Sequence, residues 1–343
     1  MQKIKLAIKY GIQPKKPIYL ARLLKALLKS KFGKQIQLRG VDFAIDYACN
    51  MKCEHCFDQR LKNESRKKME IQDYERVASE AMALGCTYFG FQGGELFLRK
   101  DYLDIIEAVK PRKNRITVTS NGLVVDEEKI IALKKVGVDY INFSLDSGIA
   151  AEHDKFRGVE GSFDKTMNAM KICKRYKMPF TINTTISHFN VLSDGFKKVA
   201  DFASQEKVLI NTLFAAPSGN WENNLSVLLD ESDINYYYTI RKKYPTMVRD
   251  LENGFKKGCP AAKEVLYITP YGDVLGCPLI HISLGNIFAE KLKTIRQRGL
   301  ENEYLGNYHS MCLIAEDRDF IDKYLSNLDK DTSLPIFISE TNF

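Results

Sequence analysis

From residue 41 onward, short runs rich in β-branched and aromatic residues alternate with longer stretches whose apolar positions recur at helical spacing. The short runs fall at 41–47, 87–91, 115–120, 140–145, 180–186 and 208–214, and predict six strands rather than the eight of a closed barrel. Between them, 71–84, 102–109, 127–136, 163–176 and 191–204 read as amphipathic helices, with Gly85 and Gly137 placed as C-caps. Strictly alternating strand and helix is the pattern of a parallel α/β sheet. Residues 190–194 and 217–224 are the more loop-like stretches, and the second marks the expected end of the domain.

Ahead of the first strand, residues 17–32 form a different kind of helix. Leu20, Leu23, Leu24, Leu27 and Leu28 share one side, and Arg22, Lys25, Lys29 and Lys31 are available for the other. Charge sets this arm apart. The chain has 51 Lys and Arg and 43 Asp and Glu; residues 1–40 hold eleven of the bases and none of the acids, leaving 40 against 43 for the rest. The favoured reading packs the leucines on the body with the lysines in water. Contact with a membrane or a lipid-linked substrate comes second, and a nucleic-acid partner is not expected.

The 343 residues, 45% of them apolar, suffice for a barrel-sized domain and a smaller one. No signal-peptide pattern opens the chain and no apolar run approaches a membrane span, so a cytoplasmic protein, peripheral to a membrane at most, is expected. Eight cysteines in such a chain point to metal ligands rather than disulfides.

The chemistry-bearing residues sit after successive strands. Cys49, Cys53 and Cys56 follow the first in a CxxxCxxC spacing, Gly93, Gly94 and Glu95 the second, Asn121 and Gly122 the third, and Ser144 to Ser147 the fourth. In a barrel of parallel strands these loops share one mouth. Three thiolates on one short loop suit an iron-sulfur cubane with one iron left open. A zinc site would need His55 or a distant residue as fourth ligand, and a chance spacing of buried thiols is the blandest alternative.

Together, CxxxCxxC, GGE, SNG and SLDS resemble the radical S-adenosylmethionine (SAM) superfamily. The resemblance implies a partial (β/α)6 TIM-like barrel over about 41–215. It implies a 4Fe-4S cluster on Cys49, Cys53 and Cys56 whose open iron chelates SAM, and a flavodoxin- or ferredoxin-type reductant. Glu95 would accept from the SAM ammonium, with Gly93 and Gly94 allowing close backbone approach. Arg157 would meet the SAM carboxylate, and Ser144 and Asn121 the carboxylate or the ribose. His55 would stack near adenine or shape the loop; Asp146 is a site residue or an anchor for its own turn.

Cys259, Cys277 and Cys312 form a second constellation around a strand-turn-strand pattern at 265–268 and 274–277. It resembles the twitch module, a short relative of SPASM domains, and so implies an auxiliary iron-sulfur cluster. Ala315 stands where many such modules place a fourth cysteine, leaving an iron open or capped by His309, Glu316 or another group. Cys86 and Cys173 read as packed thiols. The expected divisions are an arm (1–40), the barrel (41–215), a helical linker (216–258), the auxiliary domain (259–326) and a tail (327–343).

The leading expectation is hydrogen abstraction from a small or lipid-linked metabolite, with a net oxidation as one outcome. A peptide maturase is the alternative, disfavoured by only about 40 residues preceding the barrel, where many maturases carry a recognition domain. An electron-transfer protein, a cluster carrier or a zinc-bound nucleic-acid module is the non-enzymatic class. The substrate pocket is expected from the barrel interior, residues 217–224 with Trp221, and the C-terminal module; Tyr267 and Asp273 are candidates without a catalytic role.

Overall fold

The computed structural model describes residues 9–33, 36–249, 251, 256–325, 332–341 and 343. Parts of the expected arm, linker and tail lie outside these.

All six predicted strands form: β1 (Gly40–Asp46), β2 (Tyr88–Gly93), β3 (Arg115–Ser120), β4 (Tyr140–Ser144), β5 (Phe180–Ile186) and β6 (Ile210–Phe214), each parallel to the next. A seventh parallel strand, β7 (Met247–Arg249), extends the barrel beyond β6. It lies in the stretch expected to be a linker, after a helix at Glu231–Lys243. Three residues are too short a run for periodicity to reveal. On the other side β8 (Val265–Ile268) pairs in parallel with β1, followed by β9 (Asp273–Leu275), β10 (Ile282–Asn286) and β11 (Ile336–Phe337). The expected auxiliary hairpin is therefore continuous with the barrel: one open sheet of eleven strands runs from β11 through β1 to β7.

Side-chain alternation explains the two faces of this sheet. Phe43, Phe89, Phe91, Val118, Ile141, Phe143 and Ile182 are fully buried in one cluster with helix residues such as Val77, Ile105, Leu133 and Met170. Burying each large apolar group contributes roughly 1.5–3 kcal/mol. The intervening positions are polar. Asn142 donates to Thr119 at 3.3 Å and accepts from Thr181 at 2.6 Å; Asn211 donates to Asn183 at 2.9 Å. A barrel filled by Val, Ile and Leu would have apolar residues there. This one has a polar lumen, half-exposed at Thr119, Asn183 and Asn211.

Helix α1 (Pro17–Phe32) has the predicted bounds but not the favoured packing. Tyr19 and Ala26 are its buried residues, while Leu24, Leu27 and Leu28 are 58, 44 and 50% exposed. The contacts it makes are polar and reach the N-terminal ends of the strands. Lys16 bonds the Asn114 and Gly137 carbonyls and pairs with Asp139, and Arg22 bonds the Lys113 and Cys86 carbonyls. Among the described residues no helix is long and apolar enough to cross a membrane.

Candidate cluster and cofactor site

At the end of β1 the Asp46 carboxylate accepts from its neighbours' backbone, Tyr47 N at 2.7 Å and Ala48 N at 3.1 Å, and turns the chain off the sheet into the cysteine loop. The end of β2 then pins that loop: Gly94 N donates to the Asp46 carbonyl and Glu95 N to the Ala48 carbonyl, both at 2.8 Å. A Cβ on Gly93 would lie 2.3 Å from the Asp46 oxygen, and one on Gly94 2.0 Å from that of Ala48. The glycine pair is thus required for the approach of two backbones. Beyond the loop, Lys52 N and Glu54 N donate to the carbonyls of Arg157 and Phe156, and Asn220 reaches the Cys56 carbonyl through its N–H and that of Cys53 through its amide.

Each thiol of the loop faces one N–H donor. Asn121 Nδ2 lies 3.9 Å from Cys49 Sγ, Arg157 Nη1 3.7 Å from Cys53 Sγ, and Gln59 Nε2 3.9 Å from Cys56 Sγ. Burial pushes the Cys49 thiol up and that of Cys56 to about 12, which opposes a bare thiolate. Cluster iron would offset that penalty, and the donors suit sulfurs carrying negative charge. The donor set and its surroundings fit a cluster held by three cysteines.

The other expected residues converge here, with their polar atoms largely committed to the protein. Glu95 is 1% exposed and accepts from Ser120 Oγ at 2.9 Å, Asn121 N at 2.8 Å and Phe97 N at 3.4 Å. Burial outweighs these bonds and raises its carboxyl to about 7. Asn121 also donates to Asn50 at 2.8 Å, bridging the β3 turn and the cysteine loop. Ser144 ends β4, half-exposed on the lumen side. Arg157 is not a free guanidinium: its Nε and Nη2 both bond Asp146 Oδ2 at 2.6 Å. Asp146 accepts from Thr185 N on its other oxygen, so it anchors Arg157 and β5 rather than its own turn. Burial opposes its charge, but the Arg157 guanidinium and the Thr185 N–H hold the carboxyl below its usual range.

His55 stacks on Phe156, centroids 4.6 Å apart and planes within 9°, and Trp221 packs against both rings. Burial lowers the imidazole to about 3, leaving it neutral. Two groups escaped sequence reasoning. Asn220 fastens the 217–224 loop onto the cysteines; an Asn beside Gly219 marks a turn but not its target. The lumen amides were signalled by the polar alternate positions of 181–185 and 211. Tyr267 donates to buried Asp58 at 3.0 Å, and Asp273 is held by Arg66, Thr269 and Asn286, as a turn residue would be.

Residues 45–203 match the radical SAM superfamily. That match gives the chain a radical SAM domain. Such a domain brings SAM and a 4Fe-4S cluster as cofactors. The radical SAM chain is 29% identical over 203 residues to the Fe-coproporphyrin III synthase of Methanosarcina barkeri; the match covers 59% of this chain and 48% of that protein. It is 26% identical to the AdoMet-dependent heme synthase of Nitratidesulfovibrio vulgaris, over 79% of this chain and 85% of the relative. Its fold is similar to Streptococcus suis SuiB bound to the precursor peptide SuiA, with a TM-score of 0.64 at 17% identity over 84% of this chain and 70% of that one.

The second cysteine set is gathered from three segments. Cys259 N donates to the His309 carbonyl at 2.8 Å, which joins its segment to the one carrying Cys312, and Ala262 N donates to Gly276 beside Cys277. Both expected capping groups are engaged: His309 Nε2 meets the Tyr304 carbonyl at 2.9 Å, and Glu316 accepts from Cys312 N at 2.7 Å while pairing with Arg249 of β7. Cys86 and Cys173 are buried in the core, as expected of packed thiols.

Proposed function

We propose that this radical SAM chain abstracts hydrogen from a small polar metabolite of the tetrapyrrole class, in a reaction initiated at the Cys49, Cys53, Cys56 loop. When bound, SAM and the reduced cluster supply the 5'-deoxyadenosyl radical and therefore the chemistry. The observation that carries the reading is the loop itself: three thiols, each facing an N–H donor, fastened by backbone bonds from β2 and by the 217–224 loop.

The chain's residues then divide into holding and shielding roles. Asn121, Arg157 and Gln59 support the sulfur charge, and Asp146 keeps Arg157 oriented. Glu95, buried, fixes the β2 and β3 turns through both of its oxygens, and Ser144, half-exposed at the end of β4, offers a hydroxyl to a ligand carboxylate or ribose. His55 and Phe156 stack face to face and Trp221 packs across them at 51° and 59°, an aromatic cluster beside the cysteine loop. Their apolar surface excludes water from a reactive intermediate.

Cys259, Cys277 and Cys312 hold a second 4Fe-4S cluster in this reading, which would accept an electron in a net oxidation. A flavodoxin- or ferredoxin-type protein is the reductant. Support for a tetrapyrrole comes from the heme synthase likeness, which spans most of both chains. The hydroxyl and amide lumen suits such a polar molecule better than a lipid chain. The test is anaerobic reconstitution with dithionite and SAM, following 5'-deoxyadenosine. Its release, with deuterium transferred from labelled iron porphyrins, is the expected result. No release from a protein with verified clusters sinks the proposal; transfer from precursor peptides alone replaces the tetrapyrrole with a peptide.

A further inference from the structure

We infer that α1 docks on an anionic phospholipid bilayer through its outer face. The helix is already fixed to the barrel by its inner side: Tyr19 is 2% exposed and Ala26 3%, and Lys16 and Arg22 are tied to five backbone or carboxylate partners around β2, β3 and β4. At 100° per residue, Leu24, Leu28 and Phe32 fall within about 80° of one another on the side opposite Tyr19 and Ala26. They are 58, 50 and 75% exposed, with Leu27 beside them at 44%. A folded domain seldom leaves so many large apolar side chains together in water.

Charge decides what covers them. Lys25, Lys29 and Lys31 border the same exposed surface, and residues 1–40 contain no acid. A second copy of α1 laid against this face would bring lysines against lysines. A bilayer bearing anionic headgroups accepts the leucines below the headgroup level and the lysines at it, as interfacial helices require. The docked end also has a consequence for access. Because α1 crosses the ends where the strands begin, and the cysteine loop follows the end of β1, the mouth would face away from the lipid. Substrate would then arrive from the aqueous side. The inference is independent of the radical chemistry.

The experiment is co-sedimentation of the full chain with vesicles of phosphatidylcholine, with and without phosphatidylglycerol, at low and high salt. Binding is expected only with phosphatidylglycerol and should weaken as salt rises. The variant Leu24→Ser/Leu27→Ser/Leu28→Ser should bind more than about tenfold less tightly, and each of Lys25→Ala and Lys29→Ala about fivefold less. Emission from Trp221, far from the helix in the fold, verifies that the variants remain folded. Equal or absent binding to both vesicles overturns the inference, as does undiminished binding of the triple-serine variant. Sedimentation velocity supplies a further arm: a dimer that the triple-serine variant abolishes, without vesicle binding, assigns the face to a second copy and also overturns it.

Discussion

The two cysteine sets are built in opposite ways. Cys49, Cys53 and Cys56 lie on one turn, so their mutual placement costs little chain entropy once β1 and β2 are formed. Cys259, Cys277 and Cys312 come from three segments spread over more than fifty residues, and nothing local brings them together. The first site is held by backbone bonds from its immediate neighbours in the sheet. The second depends on a charge pair, because Glu316 beside Cys312 is gripped by Arg249, whose guanidinium also lies 3.9 Å over the Phe214 ring. That pair spans the open side of the sheet, from β7 at one edge to the module that grows from the other. A contiguous site should survive loss of one distant contact; an assembled site should not.

The largest effect expected is loss of the contiguous set. Cys53→Ala should lower 5'-deoxyadenosine release more than about 100-fold, since loss of a mere outer partner already costs 10–100-fold; appreciable turnover would show that these thiols do not carry the reaction. Asp146→Asn is next. It leaves the Arg157 guanidinium buried without its carboxylate and should cost about 3–5 kcal/mol in urea unfolding. A change under about 1 kcal/mol would mean that Arg157 finds another partner.

Arg249→Met tests the comparison itself. It should cost about 3 kcal/mol and remove the iron bound by the second set while sparing the first, read as the iron content of variants carrying only one set. Equal loss from both would show that the two sites are not built independently. The smallest effect concerns pH. Burial lifts the folded Glu95 carboxyl to about 7 from an ordinary glutamate value, so the stability gained from its bound proton is present at low pH and lost as pH rises through about 7. The cluster-free protein should melt about 2–4 °C lower near pH 8 than near pH 6. Glu95→Gln should reduce that difference; an unchanged slope assigns it to other groups.

Much of the first site was legible in the chain, because a loop of three thiols needs only sequence proximity and strand ends are marked by alternation. The bounds of β3 and β5 and of α1 were read correctly for the same reason: each is a long, strongly patterned run. Arg157 was found but its partner was not, since Asp146 is eleven residues away and only the turn into the next helix brings the two together. β7 was missed because a three-residue strand has too little pattern to read. The leucines of α1 show the reverse case: of an evident amphipathic stripe, Leu20 and Leu23 are half-buried while Leu24, Leu27 and Leu28 stay exposed.

What the sequence determined by itself is the local chemistry: which residues carry sulfur, charge or conformational freedom, and which short segments are strand or helix. These follow from spacing, propensity and side-chain type. Only the tertiary structure decided which face of α1 meets the barrel, which carboxylate holds Arg157, and how Arg249 reaches the Cys312 loop. Those outcomes depend on which groups can be desolvated together across long separations in the chain, and no window of sequence contains both members of such a pair.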